Sequence, residues 1–266
     1  MAQDGLARRL RMLDPLFTVL APRFTGWGNI PDDRPLLFVG NHTIFGVFDV
    51  PLLFARLYRK RGIWLRPLGD HAHFRVPLWR DFLARYGVVD GTRDNCRALM
   101  KEGECLLVFP GGAREVAKRR NERYRLIWKE RTGFVKMAIE AGCTIVPFAA
   151  VGVDDAFDII LDADDIKRTP LGALLGKLGV RDDVLLPLAR GLGPLPRPER
   201  LYFHFCEAVP TAHLRGGEGD DVIVRRTRDE VKARIERGIA ELLAAREKDP
   251  KRYLRGRIAT ALKRRR

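Results

Sequence analysis

The stretch PLLFVGNHTIFGVFDVPLL, residues 35–53, decides the fold. Leu36 to Val39 is an apolar run that ends at once on Gly40, Asn41 and His42, as a buried strand does where it leaves a sheet. A helical pattern follows over about residues 45–59, and the same alternation continues along the chain. Further strand candidates are Ile63 to Leu65, Gly87 to Val89, Cys105 to Phe109, Thr144 to Phe148 and Leu201 to Phe205. Helical patterns lie between them at about 76–86, 92–102 and 131–141, and a charged helix is expected at 222–246. Strands separated by such stretches imply right-handed crossovers, hence an α/β fold with a mostly parallel central sheet and helices on both faces. Ligands of these sheets bind beyond the carboxyl ends of the strands. Residues that directly follow a strand are therefore the functional candidates.

Two strand exits carry chemistry. At the first, His42 is followed seven residues later by Asp49. Imidazole can take a proton near neutral pH, and a carboxylate can fix its tautomer and raise its basicity. On one continuous helix seven steps would leave the pair ~10 Å apart along the axis. A dyad therefore needs a folded-back turn, which Gly46 makes possible. At the second exit, Pro110-Gly111-Gly112 leads to Arg114 and Glu115. Glycines there let backbone amides approach an anion, and Arg114 could pair with phosphate.

Composition removes whole classes of mechanism. The chain of 266 residues contains no serine, which excludes serine nucleophiles and Ser-His-Asp triads. Its four cysteines form no CxxC pair and read as small buried hydrophobes in a reducing compartment. His71 and His73 with Asp70 supply too few donors for a structural metal site. His204 and Cys206 alternate along a strand, and burial is the default there. GWGNIP and GALLGKL lack the spacing of nucleotide-binding turns. No apolar run is long enough to span a bilayer, and no cleavable signal is expected.

The formal net charge is +15, and residues 251–266 (KRYLRGRIATALKRRR) hold eight basic residues and no acidic one. Such a tail suits an anionic membrane face or nucleic acid, and a solvated terminus is the plain alternative. At the other end Leu6, Leu10, Leu13, Phe17, Leu20 and Phe24 recur at helical spacing, interrupted by Asp14-Pro15. Two short helices are expected, either packed on the core or lying in a membrane interface.

Three stretches resemble the glycerolipid acyltransferases of the lysophosphatidic acid acyltransferase superfamily, nearest to its monoacylglycerol/diacylglycerol acyltransferase-like branch. They are FVGNHTIFGVFDVPLL, GVVDGTRDNCRALMKEGECLLVFPGGAREV and ERYRLIWKERTGFVKMAIEAGCTIVPFAAVG, with FPGGARE and LIWKERTGF the most specific. The resemblance implies transfer of a fatty acyl group from acyl-CoA or acyl carrier protein to a lipid hydroxyl, with no further cofactor and no metal. The acceptor it implies is a mono- or diacylglycerol, with a lysophospholipid second. It makes His42 the base and Asp49 its orienter, with Glu115 in reserve. It places Asn41, Arg93, Gly111, Gly112, Arg114, Glu115 and Pro147 around the substrates, and Lys129, Glu130 and Arg131 near them. The superfamily spacing of four residues between His and Asp is six here, as in the neutral-lipid branch. The domains then read as an amphipathic membrane-associating segment (1–30), an acyltransferase domain (31–246) and a basic tail (247–266). The expected setting is the cytoplasmic face of an anionic membrane, with acyl-CoA and a lipid acceptor as partners and no nucleic acid. A catalytically inactive lipid-binding protein on the same fold, and a basic nucleic-acid-binding protein, are the alternatives.

Overall fold

A computed structural model describes residues 10–75, 77–179, 185–193 and 195–263. Leu6, Arg264, Arg265, Arg266 and the side chain of His73 lie outside the described residues. The main sheet takes in α1 (Asp14–Leu20) only as cover and opens with β1 (Arg23–Thr25), β2 (Leu36–Gly40), β3 (Leu65–Gly69) and β4 (Val89–Asp90). It continues with β5 (Cys105–Val108) and β6 (Thr144–Val151). The ribbon β7 (Asp158–Leu161) and β8 (Leu188–Arg190) forms a separate sheet, before β9 (Tyr202–Phe205) and β10 (Val209–Pro210) return to the main one. The main sheet runs in the order β1-β9-β6-β2-β5-β3-β4, with β10 also on β6. β2 pairs in parallel with both β5 and β6, and β3 pairs in parallel with β4 and β5. β9 and β10 pair antiparallel with β6, and β1 follows the direction of β9. The mostly parallel α/β architecture expected from the strand pattern is the one observed.

The period of two along β2 explains why every residue in it is apolar. Leu36 and Phe38 join the core on one face, with Leu52, Leu53 and Leu57 of α2 (Val50–Arg61). Leu37 and Val39 join the core on the other, with Cys96 and Met100 of α4 (Arg93–Lys101). That second core also holds Val135 and Ile139 of α6 (Gly133–Ala141) and Val231, Ile235 and Ile239 of α9 (Asp221–Glu247). A strand covered on both faces has no polar side to show. α3 (Pro77–Arg85) and the short α5 (Ala113–Val116) complete this half. Between β7 and β8 lie α7 (Ala163–Lys167) and α8 (Pro170–Lys177), and α10 (Leu254–Lys263) closes the described chain. All four cysteines are buried and unpaired, and burial pushes the Cys143 and Cys206 thiols up to about 12.

Both ends of the chain differ from the expected boundaries. Residues 1–30 are not a separate segment over their described part. β1 pairs in parallel with β9, Leu10 and Leu20 are buried, and Leu16, Phe17 and Phe24 pack on the core. At Leu10, Phe17, Leu20 and Phe24 the apolar stripe faces the core. The basic tail is also partly docked. Arg252 bonds Glu199 at 3.1 Å, and the Arg257 guanidinium donates to the carbonyls of Pro198, Lys251 and Arg252. These cations serve first to close the C-terminus against residues 198–200.

Candidate active site

The helix expected from residue 45 starts only at Val50, and residues 44–49 fold back as a turn. Phe45 and Gly46 both take positive φ, +63° and +62°. The glycine is required twice. A Cβ there would lie 2.2 Å from Cε1 of His42, because the imidazole rests on the bare backbone of Gly46. The ring itself stacks on Phe109, with centroids 4.0 Å apart at 15°. Phe109 leans edge-on against Phe148, whose ring occupies the space beside Gly40. Strand ends β2, β5 and β6 thus wedge His42 in place through two aromatic rings and two glycines.

Buried charge holds the backbone beneath the ring. Glu115 is fully buried, and its carboxylate accepts from the amides of His42 (2.9 Å) and Ile127 (2.7 Å). Gly111 makes room for it, since a Cβ would collide with the Glu115 carboxylate carbon. Asp154 accepts from the amides of Ile44 (2.8 Å) and Tyr124 (2.9 Å). The His42–Ile44 segment is therefore held by two carboxylates, one from each neighbouring strand exit. Their counter-charge is Lys118, 1% exposed, with Nζ 3.5 Å from Asp154. Burial still pushes the Glu115 carboxyl up, against the pull of Lys118.

The electrostatics of the pair at the centre run in opposite directions. Burial, helped by the nearby Lys118 ammonium, pulls His42 down to about 3, so the imidazole is neutral throughout the physiological range. Burial pushes the Asp49 carboxyl up to about 6. Asp49 is 3% exposed at the N-cap of α2 and makes no side-chain cap. His42 Nδ1 and Asp49 Oδ1 are each buried without a hydrogen-bond partner, so no bond joins them in this structure. With Thr43 Oγ1, three orphaned polar atoms lie in residues 42–49, and such a group is costly and marks a site.

Residues 21–151 match the family model for acyltransferases. Over these residues the chain is similar to the acyltransferase family. The chain is 31% identical over 256 residues to phytyl ester synthase 1, chloroplastic, of Arabidopsis thaliana, covering 89% of this chain and 36% of that protein. It is 30% identical over 132 residues to the human "DGAT1/2-independent enzyme synthesizing storage lipids", covering 50% of this chain and 40% of that one. The chain thus spans about a third of the length of the plant relative. The fold is also that of the 1-acyl-sn-glycerophosphate acyltransferase PlsC from Thermotoga maritima. That structure has a TM-score of 0.54 and 18% identity, over 92% of this chain and 84% of that one.

The structure gathers some of the expected acyltransferase residues and disperses others. His42, Asp49, Glu115 and the Gly111-Gly112 turn share the carboxyl edge of β2 and β5. Asn41 is there as well, but its amide is used up. It donates to Ala150 carbonyl at 2.9 Å and accepts from Ala150 amide at 2.8 Å, extending the β2–β6 ladder past Gly40. Arg114 is buried in an ion pair with Glu122 and donates to the Ala117 carbonyl, so it braces its own loop and does not face a phosphate. Pro147 sits inside β6 opposite Val39, with its carbonyl taken by the Cys206 amide. Arg93 is exposed at the start of α4, beyond β4. Three strand spacings, ~14 Å, separate that position from the end of β2. His71 bonds Asp90 at 2.7 Å on the same outer edge.

Lys118 and Asp154 carry no functional reading in the sequence, and Arg131 reads only as near the substrates, with a solvated charge run the alternative. Lys118 stands in the run AKRRN, which looks like a solvated basic patch. Asp154 follows β6 by three residues, so the strand-exit rule points to it once the strand is known to reach Val151. Arg131 was grouped with Lys129 and Glu130 as a charge run. Its guanidinium donates to the Pro110 carbonyl at 2.7 Å and lies over Gly112, making it the cation at the glycine turn.

Proposed function

We propose that this chain moves a fatty acyl group from acyl-CoA, or an acyl carrier protein, to a lipid hydroxyl, with His42 as the general base. The observation that carries the reading is His42 itself. It is a neutral imidazole with Nδ1 sealed, clamped between Phe109 and Gly46 at the carboxyl edge of a parallel sheet. Nε2 of the ring takes the proton of the acceptor hydroxyl. The acceptor oxygen bonds to the thioester carbonyl carbon as its proton leaves, giving a tetrahedral oxyanion. Collapse breaks the carbon–sulfur bond, and the departing thiolate takes the proton back from the imidazolium. No acyl-enzyme forms, which suits a chain without serine.

Asp49 stabilises the imidazolium, since the proton on Nδ1 and the unpartnered Oδ1 complement each other. Above about pH 6 a neutral resting histidine stands near an ionised carboxylate, whose charge is in place before the reaction creates the imidazolium. Arg131 at the glycine turn and exposed Arg93 are the cations suited to the phosphates of the donor or acceptor. The acceptor is a mono- or diacylglycerol in the first place, a lysophospholipid in the second, taken from the cytoplasmic face of an anionic membrane. Among the described residues no helix is long and apolar enough to cross a membrane.

The test is thiol release from a long-chain acyl-CoA, with diacylglycerol, monoacylglycerol or lysophosphatidic acid supplied separately in vesicles. Acceptor-dependent release by the wild type, lost in a folded His42→Ala, establishes the reaction and its base. No release with any acceptor would favour a lipid-binding protein without activity.

A further inference from the structure

The N-terminal stripe is spent on the core, yet the chain keeps a large apolar surface elsewhere. Of eighteen exposed large apolar side chains among the described residues, nine lie within residues 160–195. They occupy two thin elements. On the β7–β8 ribbon, Ile159 and Ala189 pair and pack on the core, so that face is satisfied. Beyond them the Leu161–Leu188 pair and the Leu192–Leu195 bridge are exposed. On α8, Leu171, Leu174 and Leu178 recur at steps of three and four, which makes one stripe, and none of the helix's residues is buried. An exposed apolar group of this extent marks an interaction surface.

Charge identifies what the surface meets. Exposed Arg168, Lys177 and Arg190 stand among the leucines. Among the described residues the neighbouring acids are engaged elsewhere. Asp164 pairs with Arg119 at 3.1 Å, Asp165 with Arg120 at 2.6 Å and Asp158 with Arg197 at 2.6 Å. A protein interface excludes lysine from its apolar centre. Lys177 instead sits between Leu174 and Leu178, where its stem can lie along hydrocarbon and its ammonium can reach headgroup phosphate. The surface also adjoins the candidate site. Phe157, immediately before β7, packs on Phe45 and Phe48 of the His42 turn, with centroids 5.1 and 5.6 Å apart.

We infer that α8 and the outer face of the β7–β8 ribbon form the face by which the chain docks on an anionic lipid surface. This deepens the proposed function, on which it rests only for the statement that the acceptor arrives from the lipid phase. The leucines enter the interface, the three cations sit at headgroup level, and the mouth of the His42 turn is held over the membrane.

The experiment measures co-sedimentation of the full chain with phosphatidylcholine vesicles, with and without about 30% phosphatidylglycerol. Wild type should bind the anionic vesicles and prefer them. Leu174→Glu/Leu178→Glu, and separately Leu188→Glu/Leu192→Glu, should lower partitioning at least about tenfold. Their thermal midpoints should stay at the wild-type value, because the replaced side chains are exposed. Turnover of a detergent-dispersed acceptor should also be unchanged in both variants, while turnover of the vesicle-borne acceptor falls. Wild-type binding retained by both variants would overturn the assignment, as would a wild-type dimer on sizing that these variants convert to monomer. Loss of vesicle binding in the variants, with wild type inactive even in detergent, would uphold the docking face and refute the acyl-transfer reading alone.

Discussion

Asp49→Asn should make the protein more stable and its chemistry slower, and the size of the first effect follows from the carboxyl's environment. The group ionises at about 6 in the folded chain, against an ordinary value of 3.8. A raised acid holds its proton more tightly when folded, so its contribution favours the folded state at low pH and is lost as pH rises from 3.8 towards 6. The interval is worth about 3 kcal/mol at 1.36 kcal/mol per pH unit. Asn carries no charge, so it escapes that cost. At about pH 7.5 the variant should be more stable by about 3 kcal/mol, and at about pH 4.5 by only about 1 kcal/mol. The wild-type curve alone does not report this, because His42 works the other way in the same window. Its folded value of about 3 lies below the ordinary 6.5, so its contribution is present above 6.5 and lost as pH falls. The variant-minus-wild-type difference, from urea unfolding across pH, isolates Asp49. A difference that is flat with pH, or that grows as pH falls, would refute the argument. In turnover, the wild type should gain activity through about pH 6 as Asp49 ionises, and that limb should be absent from the Asn variant.

Three further substitutions probe the supports around His42. Gly46→Ala puts a methyl 2.2 Å from the imidazole in a left-handed backbone. It should cost about 1–2 kcal/mol of stability and lower kcat at least about tenfold with KM little changed, in steady-state assays. Lys118→Met leaves Glu115 and Asp154 buried without their cation. It should cost about 3–5 kcal/mol in urea unfolding at neutral pH, and less as pH falls and the Glu115 carboxyl, pushed up by burial, takes up its proton. Asn41→Leu leaves both the amide and the carbonyl of Ala150 unpaired. It should cost about 2–4 kcal/mol and speed amide exchange at the end of β6.

The fold was legible because its strands have a single reading. Runs such as Leu36 to Val39 and Thr144 to Phe148 are apolar on both alternations, and only a sheet covered on both faces buries them. All six expected strands are present, each with bounds within a few residues. Strands β1, β7, β8 and β10 were not legible. They are two to four residues long and pair with partners far along the chain, so their period carries too little signal. The N-terminal stripe left two readings open for a different reason. A core-packed helix and an interfacial helix present the same spacing, and what separates them is the partner. Here that is the sheet edge built by β1 and β9.

The candidate site divides along the same physical line. A residue's type and place after a strand were enough to single out His42, Asp49 and Glu115, because few side chains can move protons and fewer stand at strand exits. Which neighbours are free to meet a substrate depends on who has already bonded them, and that is a three-dimensional fact. Asn41 and Arg114 have the chemistry of ligand-binding residues, yet Ala150 and Glu122 consume it. Lys118 has the appearance of a solvated cation, yet it is the counter-charge for two carboxylates that fix the backbone on either side of the base. The spacing of His42 and Asp49 shows the limit most sharply. Six intervening residues rule out a dyad on a helix, and only a glycine at position 46 lets the chain fold back into a turn. Even then the two groups do not bond in the resting protein, where above about pH 6 the carboxylate is ionised and the imidazole stays neutral until it takes a proton. A dyad that forms only when its charge forms places its interaction energy in the transition state, where it raises kcat and not merely affinity.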